Sequence, residues 1–474
     1  MGEDTRGPEA RLVPGAPFLG LGEYDLAVLG YERREFFISG TAVAYAGDPA
    51  PEDGAWVVRP GEAAAYVTRI VVVTPLEPAR FNGTVAVEWL NVSGGRDAAV
   101  VWSMVHRAMA REGYAYVAVS AQKVGIDGGL SLHSADMPLK LADPERYAGL
   151  VHPGDAWAYD IFSQTGRVVR GGEVLGGLVP ERLLAVGMSQ SAMYLASYAT
   201  AIDPLARVYD GFLVHSRFGY GAGLEGHSAL RPAAGAVALG LKLRADLRVP
   251  VLTVVTETDV LGGPVQGFYW ARQADTARHV VWEIAGSAHA DNYIYRVGSM
   301  DSGLAGIEAL VAAWAPMRGS AELQYPMNFG PQHHYVVQAA LAGLERWVSS
   351  GVAPPAAQGL RVEGEPVPGE TPELVRDAHG IAMGGVRTPW VDVPTARLAG
   401  TGNSGLPGVW LLGLGESFAP DKLARLYPGG RSDYMRRFDA ALEGAIEAGF
   451  ILADDRQEIL KIAVEAYGSG RLAE

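Results

Sequence analysis

The chain has 474 residues, of which 49% are hydrophobic and 19% charged, a composition that folds around a core rather than remaining disordered. A formal net charge of −14, with no stripe of Lys and Arg to oppose it, argues against a nucleic-acid partner. Cysteine is absent, which excludes disulfides, thiolate metal sites and a thiol nucleophile, and no apolar run approaches the ~20 residues of a membrane span. The opening MGEDTRGPEARLVPG has no basic stretch leading into an apolar one, so a cytoplasmic location is expected.

Residues 1–65 alternate turns with short β-like runs and are expected to form an irregular, β-rich N-terminal layer. Strands rich in β-branched residues are predicted at 66–73, 84–90, 114–120, 182–187, 209–215, 249–256 and 279–284. Helices are predicted at 99–112, ending at Gly113, from an Asp155 N-cap to about Arg170, and at 190–201 and 264–276. This alternation implies an α/β fold, a mostly parallel sheet with helices on both faces. The core is expected over 66–349, with insertions at 121–154, 216–248 and 290–330. The first two insertions leave from strand C-terminal ends, where open α/β sheets place their ligand crevices. An amphipathic helix follows at 331–349. Residues 350–474 then read as a loop-rich and helical extension packing on the core.

The strongest local signal is Gly187-Met188-Ser189-Gln190-Ser191, a strand running into a helix through a turn that is nearly G-x-S-x-G. Such a turn needs small neighbours to lift a serine hydroxyl above the sheet. Ser191 stands where glycine is usual. A serine-rich turn that merely caps a helix is the plain reading, and the residues downstream weigh against it. A hydroxyl nucleophile needs a base, and the base needs an acid to orient it. Asp259 follows the strand at 249–256, with Glu257 as the alternative acid, and His289 follows the strand at 279–284. His215 lies at the right end of its strand but precedes the acid. His279 lies at the wrong end. Acyl transfer further requires two N–H donors for a developing oxyanion. Gln190, next to the serine, supplies one, and Asn91 or Val92 in the loop at 90–95 the other.

Other motifs carry less. Gly221 to Gly226 spells G-x-G-x-x-G, but no helix opens after it. His333 and His334 are adjacent, so they project differently from a helix and make a poor metal pair. No metal or other cofactor is expected.

These residues resemble the α/β-hydrolase superfamily across about 66–349. With Tyr159–Gln164, Asn328–Pro331 and the stretch GGVRTPWVDVP at 384–394, the whole chain resembles a bacterial family of α/β-hydrolase domain proteins. The resemblance implies an eight-stranded type of sheet with cap elements, and Ser189, Asp259 and His289 as a catalytic triad. It implies no substrate, because fold does not fix function. The expected activity is hydrolysis of a small-molecule carboxylic ester through an acyl-enzyme. Acyl transfer and lactone opening would use the same three residues, and a non-catalytic ligand-binding protein on a hydrolase fold is the alternative of another class.

Overall fold

The computed structural model describes residues 7–47, 53–129, 131–132, 136–226, 240–316, 323–367, 370–405 and 407–468. Parts of the expected insertions, at 130, 133–135, 227–239 and 317–322, lie outside the described residues, as do residues 1–6.

One nine-stranded sheet organises the chain. Its strands are β1 (Glu9–Val13), β2 (Tyr31–Gly47), β3 (Val58–Pro75), β4 (Thr84–Trp89), β5 (Ala115–Val119), β6 (Arg182–Met188), β7 (Gly211–His215), β8 (Val251–Thr256) and β9 (His279–Ile284). They lie in the order β1-β2-β3-β5-β4-β6-β7-β8-β9. From β5 to β9 every pairing is parallel, whereas β1, β2 and β3 are joined antiparallel to one another and β3 to β5. Side chains alternate between two apolar layers. Leu184 and Val186 of β6 enter one layer, Leu183 and Ala185 the other. The first layer is covered by α1 (Val100–Glu112) and the second by α2 (Ala158–Arg170) and α3 (Gln190–Ser197). Further on, α4 (Gln332–Ser350) joins α1 on the first face, and α5 (Gly430–Glu447) and α6 (Arg456–Gly468) pack outside it. Strands buried on both faces account for the near-continuous apolar run of β8.

Four expectations are corrected. Residues 1–65 are not an irregular layer, since β2 and β3 form a long hairpin inside the sheet and the expected boundary at 65 falls within β3. Gly40 stands mid-strand, where a Cβ would sit 2.8 Å from Gln164 Oε1 of α2. β1 adds a ninth strand to the eight expected. The helix expected at 264–276 is absent. A short helix, Glu257–Leu261, closes instead at Gly262 (φ 76), and only a 3-10 turn, Phe268–Ala271, follows. Asp155 does not cap α2, because its carboxylate accepts from Gln122 Nε2, the Lys123 N–H and the Tyr194 hydroxyl.

Beneath the start of α1, the buried Glu88 of β4 accepts the N–H groups of Val101 and Trp102, each at 2.9 Å, and the Tyr116 hydroxyl at 2.7 Å. Burial pushes its carboxyl up to about 7, although those three donors pull the other way. A value above that of the unfolded chain favours the protonated form in the fold. The associated stability is therefore present at low pH and is lost as pH rises through about 7. Urea unfolding of the wild type is expected to lose ~2–3 kcal/mol between about pH 5 and pH 8, a loss that Glu88→Gln does not show.

Candidate active site

Ser189 stands between the end of β6 and the first turn of α3, with φ 63 and ψ −122. Such a backbone is costly for any residue with a Cβ. The turn is sharp because its neighbours are small. At Gly187 a Cβ would lie 2.9 Å from Leu195 and 3.3 Å from the Ser191 main chain. Ser191 has a structural reason to differ from glycine: its hydroxyl donates to the Met188 carbonyl at 2.8 Å and accepts the Met188 N–H at 3.1 Å, bracing the turn from inside. The Ser189 N–H donates to the His215 carbonyl of β7. Among residues 181–190 that follow Arg182, Ser189 alone keeps partial exposure.

Asp259 reaches the same place from β8. Thr256 caps the helix Glu257–Leu261, and its N–H and hydroxyl both donate to Asp259 Oδ2, at 2.7 and 2.8 Å. That leaves Oδ1 free to face His289, whose Nδ1 lies 2.5 Å away. His289 follows β9, and its N–H donates to the Thr258 hydroxyl at 3.1 Å, which in turn donates to the Gly400 carbonyl. His289 Nε2 lies 2.8 Å from Ser189 Oγ. A neutral imidazole that donates Nδ1–H to Asp259 presents a bare Nε2 to the serine hydroxyl. Asp259 is wholly buried and His289 only 4% exposed, so bulk water screens this chain of bonds weakly. Phe218 stacks on the His289 ring at 5.1 Å, and Trp410 leans on Phe218 at 5.4 Å.

The alternative acid is corrected. Glu257 does not face His289. Its oxygens accept the N–H groups of Gly286 and Gly400 and pair with Arg376. Burial raises its carboxyl, while Arg376 and those N–H groups pull it down. The oxyanion candidates also separate. The Asn91 N–H donates to the Ala98 carbonyl at 3.1 Å and is spent, while its side chain braces the serine turn through the Met188 carbonyl. Among the described residues the Val92 N–H has no such partner, and the Gln190 N–H is the first of α3, where a helix leaves its donors unpaired. The Gln190 side chain is held away by Gln122.

Sequence reasoning missed the residues that hold this arrangement. Thr256-x-x-Asp259 is a capping box, a pattern that marks a helix start and was legible. Trp410 left no local signal, because nothing near it in sequence belongs to the site. Asn328 and Gln332 both donate to the Gly286 carbonyl, so Asn328–Pro331 anchors the loop that carries His289. In the 384–394 stretch, the Val386 N–H donates to the Glu283 carbonyl and its carbonyl accepts from Ala285, and Val391 packs over Gly286. His333 pairs with Asp291, and His334 stacks on Tyr293. Among the described residues no group of three or more His, Asp and Glu could hold a metal ion, and no helix is long and apolar enough to cross a membrane.

The model of the family described as "Alpha/beta hydrolase domain" matches residues 5–461. No curated protein matches the chain. Among solved structures, a protein assigned as a dienelactone hydrolase from Klebsiella pneumoniae subsp. pneumoniae MGH 78578 is 16% identical, with a TM-score of 0.31, over 58% of this chain and 95% of that one. An esterase from Pyrococcus furiosus is 9% identical with a TM-score of 0.30, over 56% of this chain and 86% of that one. A thermostable esterase from Pseudomonas putida ECU1011 is 12% identical with a TM-score of 0.27, over 50% and 66%. At these values none of the three carries a substrate over to this chain.

The strain at Ser189 is separable from its chemistry. Ser189→Gly is expected to gain ~1 kcal/mol in urea unfolding, because glycine adopts this backbone without cost. Ser189→Ala keeps the Cβ and is expected to gain none of it.

Proposed function

We propose that this chain, which belongs to the alpha/beta hydrolase domain family, hydrolyses carboxylic esters through an acyl-enzyme formed on Ser189. The observation that carries this reading is the continuous line from Ser189 Oγ to His289 Nε2 (2.8 Å) and from His289 Nδ1 to the buried Asp259 (2.5 Å), built on a strained strand-to-helix turn.

His289 takes the hydroxyl proton as Ser189 Oγ attacks the ester carbonyl. Asp259 fixes the tautomer and stabilises the imidazolium that forms. The negative charge that grows on the carbonyl oxygen is met by the N–H groups of Gln190 and Val92, each such donor being worth ~10²–10³ in rate. His289 then returns the proton to the departing alkoxide, and a water activated by the same nitrogen cleaves the acyl-enzyme. The bare lone pair on Nε2 serves both halves of the cycle. Next to His289, Phe218 and the half-buried Trp410 offer an apolar wall, in keeping with an uncharged, apolar substituent on the ester. The net charge of −14 opposes strongly anionic substrates at long range.

The test is a p-nitrophenyl ester series from acetate to decanoate. The wild type is expected to turn over at least the short members, and Ser189→Ala to lose ~10⁴-fold or more in kcat. Asp259→Asn is expected to fall by ~10⁴ through the wrong tautomer. Glu257→Gln is expected to cost stability first and less than ~10-fold in kcat, since its bonds hold the loops and do not reach the imidazole. A folded wild type inactive on every ester, or an Ser189→Ala variant as active as wild type, would overturn the reading.

A further inference from the structure

Two histidines that this chemistry leaves unused connect its two halves. His215 ends β7, beside the strand that delivers Ser189, and its carbonyl accepts the Ser189 N–H at 2.9 Å. Its wholly buried side chain meets that of His333 in the first turn of α4, Nε2 to Nε2, at 2.9 Å. His333 Nδ1 lies 2.9 Å from Asp291 Oδ2. Asp291 stands two residues beyond His289, and its Oδ1 accepts the Ile294 N–H at 3.1 Å.

For two neutral imidazoles, one order of protons satisfies the chain. An ionised Asp291 only accepts, so His333 carries its proton on Nδ1. With a neutral His333 its Nε2 is a bare acceptor, and His215 donates from Nε2. Burial and the nearby imidazoles of His333 and His289 hold His215 well below the usual histidine range, which keeps it in the neutral form this order requires. The side chain of His215 is thus engaged with α4 rather than with the serine hydroxyl, which sets it apart from a second base.

The main chain beside this line of bonds is strained. Among the described residues only Ser189 (φ 63), Arg207 (φ 51) and Ser216 (φ 53) combine a side chain with positive φ. Two of the three flank the ends of the adjacent strands β6 and β7; His215 directly precedes Ser216 and its carbonyl accepts the Ser189 N–H. Such conformations persist where the surroundings over-determine them. The bonds from His215 through His333 to Asp291 tie the serine turn to the loop that carries His289.

We propose that Asp291, His333 and His215 form a positioning relay that sets the separation of Ser189 Oγ and His289 Nε2. The proposal rests on the serine-hydrolase reading above. None of the three touches the reacting atoms. Their leverage is geometric, since a displacement of about 1 Å at a reacting centre costs on the order of 10² in rate.

The experiment is the labelling of Ser189 by a fluorophosphonate, followed by intact mass, for wild type, His215→Asn, Asp291→Asn and the double variant, with Ser189→Ala as the blank. Both single variants are expected to lose ~10–100-fold in the limiting labelling rate, with the half-saturating probe concentration within about twofold of wild type. The double variant is expected to be no slower than about the worse single one, because one relay is broken either way. Losses that multiply, or an unchanged rate on a smaller labelled fraction, would assign these residues to packing alone and overturn the relay. His333→Gln, which keeps an acceptor for His215 and gives up only Asp291, carries the same expectation where His215→Asn fails to fold. A wild type that is not labelled overturns the serine-hydrolase reading and the relay with it. A labelled wild type with unaffected variants overturns the relay alone.

Discussion

The main chain at Ser189 is held in a conformation that its side chain disfavours, and most of the neighbouring structure serves to keep it there. Gly187 clears the inside of the turn, and Ser191 ties it to the Met188 main chain on both the donor and the acceptor side. Asn91 reaches across from the end of β4 to the Met188 carbonyl, and the His215 carbonyl accepts the Ser189 N–H from the other side. Each contact is worth only ~1 kcal/mol taken singly. Together they offset a strain of ~1–3 kcal/mol and leave one hydroxyl standing partly open above an otherwise closed strand end.

The same economy of means governs the carboxylate. A buried Asp259 could in principle bond through either oxygen. Thr256 removes the choice by occupying Oδ2 with two donors, and the imidazole is left with Oδ1. Thr258, two residues on, takes the His289 N–H, so Asp259 and His289 are registered through main chain as well as side chain. Glu257 between them faces the opposite way and secures the Gly286 and Gly400 loops. Three consecutive polar residues after one strand thus hold three separate parts of the site, by alternating direction in a single helical turn.

What was legible in the sequence was whatever obeys a period or a local motif. β4, β6, β8 and β9, α1 and α4 follow from runs of β-branched residues or helical spacing with glycine ends, and β9 begins and ends where its composition says. The residues of the serine turn and the ends of β8 and β9 were readable because each follows a strand. The long hairpin of β2 and β3 was not. Its length and pairing depend on partners far along the chain, and Gly40 admits Gln164 of α2 at close range, which is a tertiary fact. The helix expected at 264–276 failed for a related reason: Gly267 lies against the Val260 and Leu261 main chain, where a Cβ would come within 2.5 Å, and aromatic side chains that suit a helix fill a loop instead. Asn91 shows the same limit at the site. Its residue type and position were right for a donor near the serine, but its N–H was already committed to Ala98 some seven residues away.

The stretch at 384–394 has one more consequence. β9 is the last strand of the nine, and without Val386 the main chain of Glu283 and Ala285 would lie open along its outer side. An uncovered strand margin is a template for pairing with other chains. By laying its own backbone there, the extension covers the end of that margin while it supports the loop of His289. A chain without this stretch would bare those main-chain groups and loosen the loop of His289 in the same stroke.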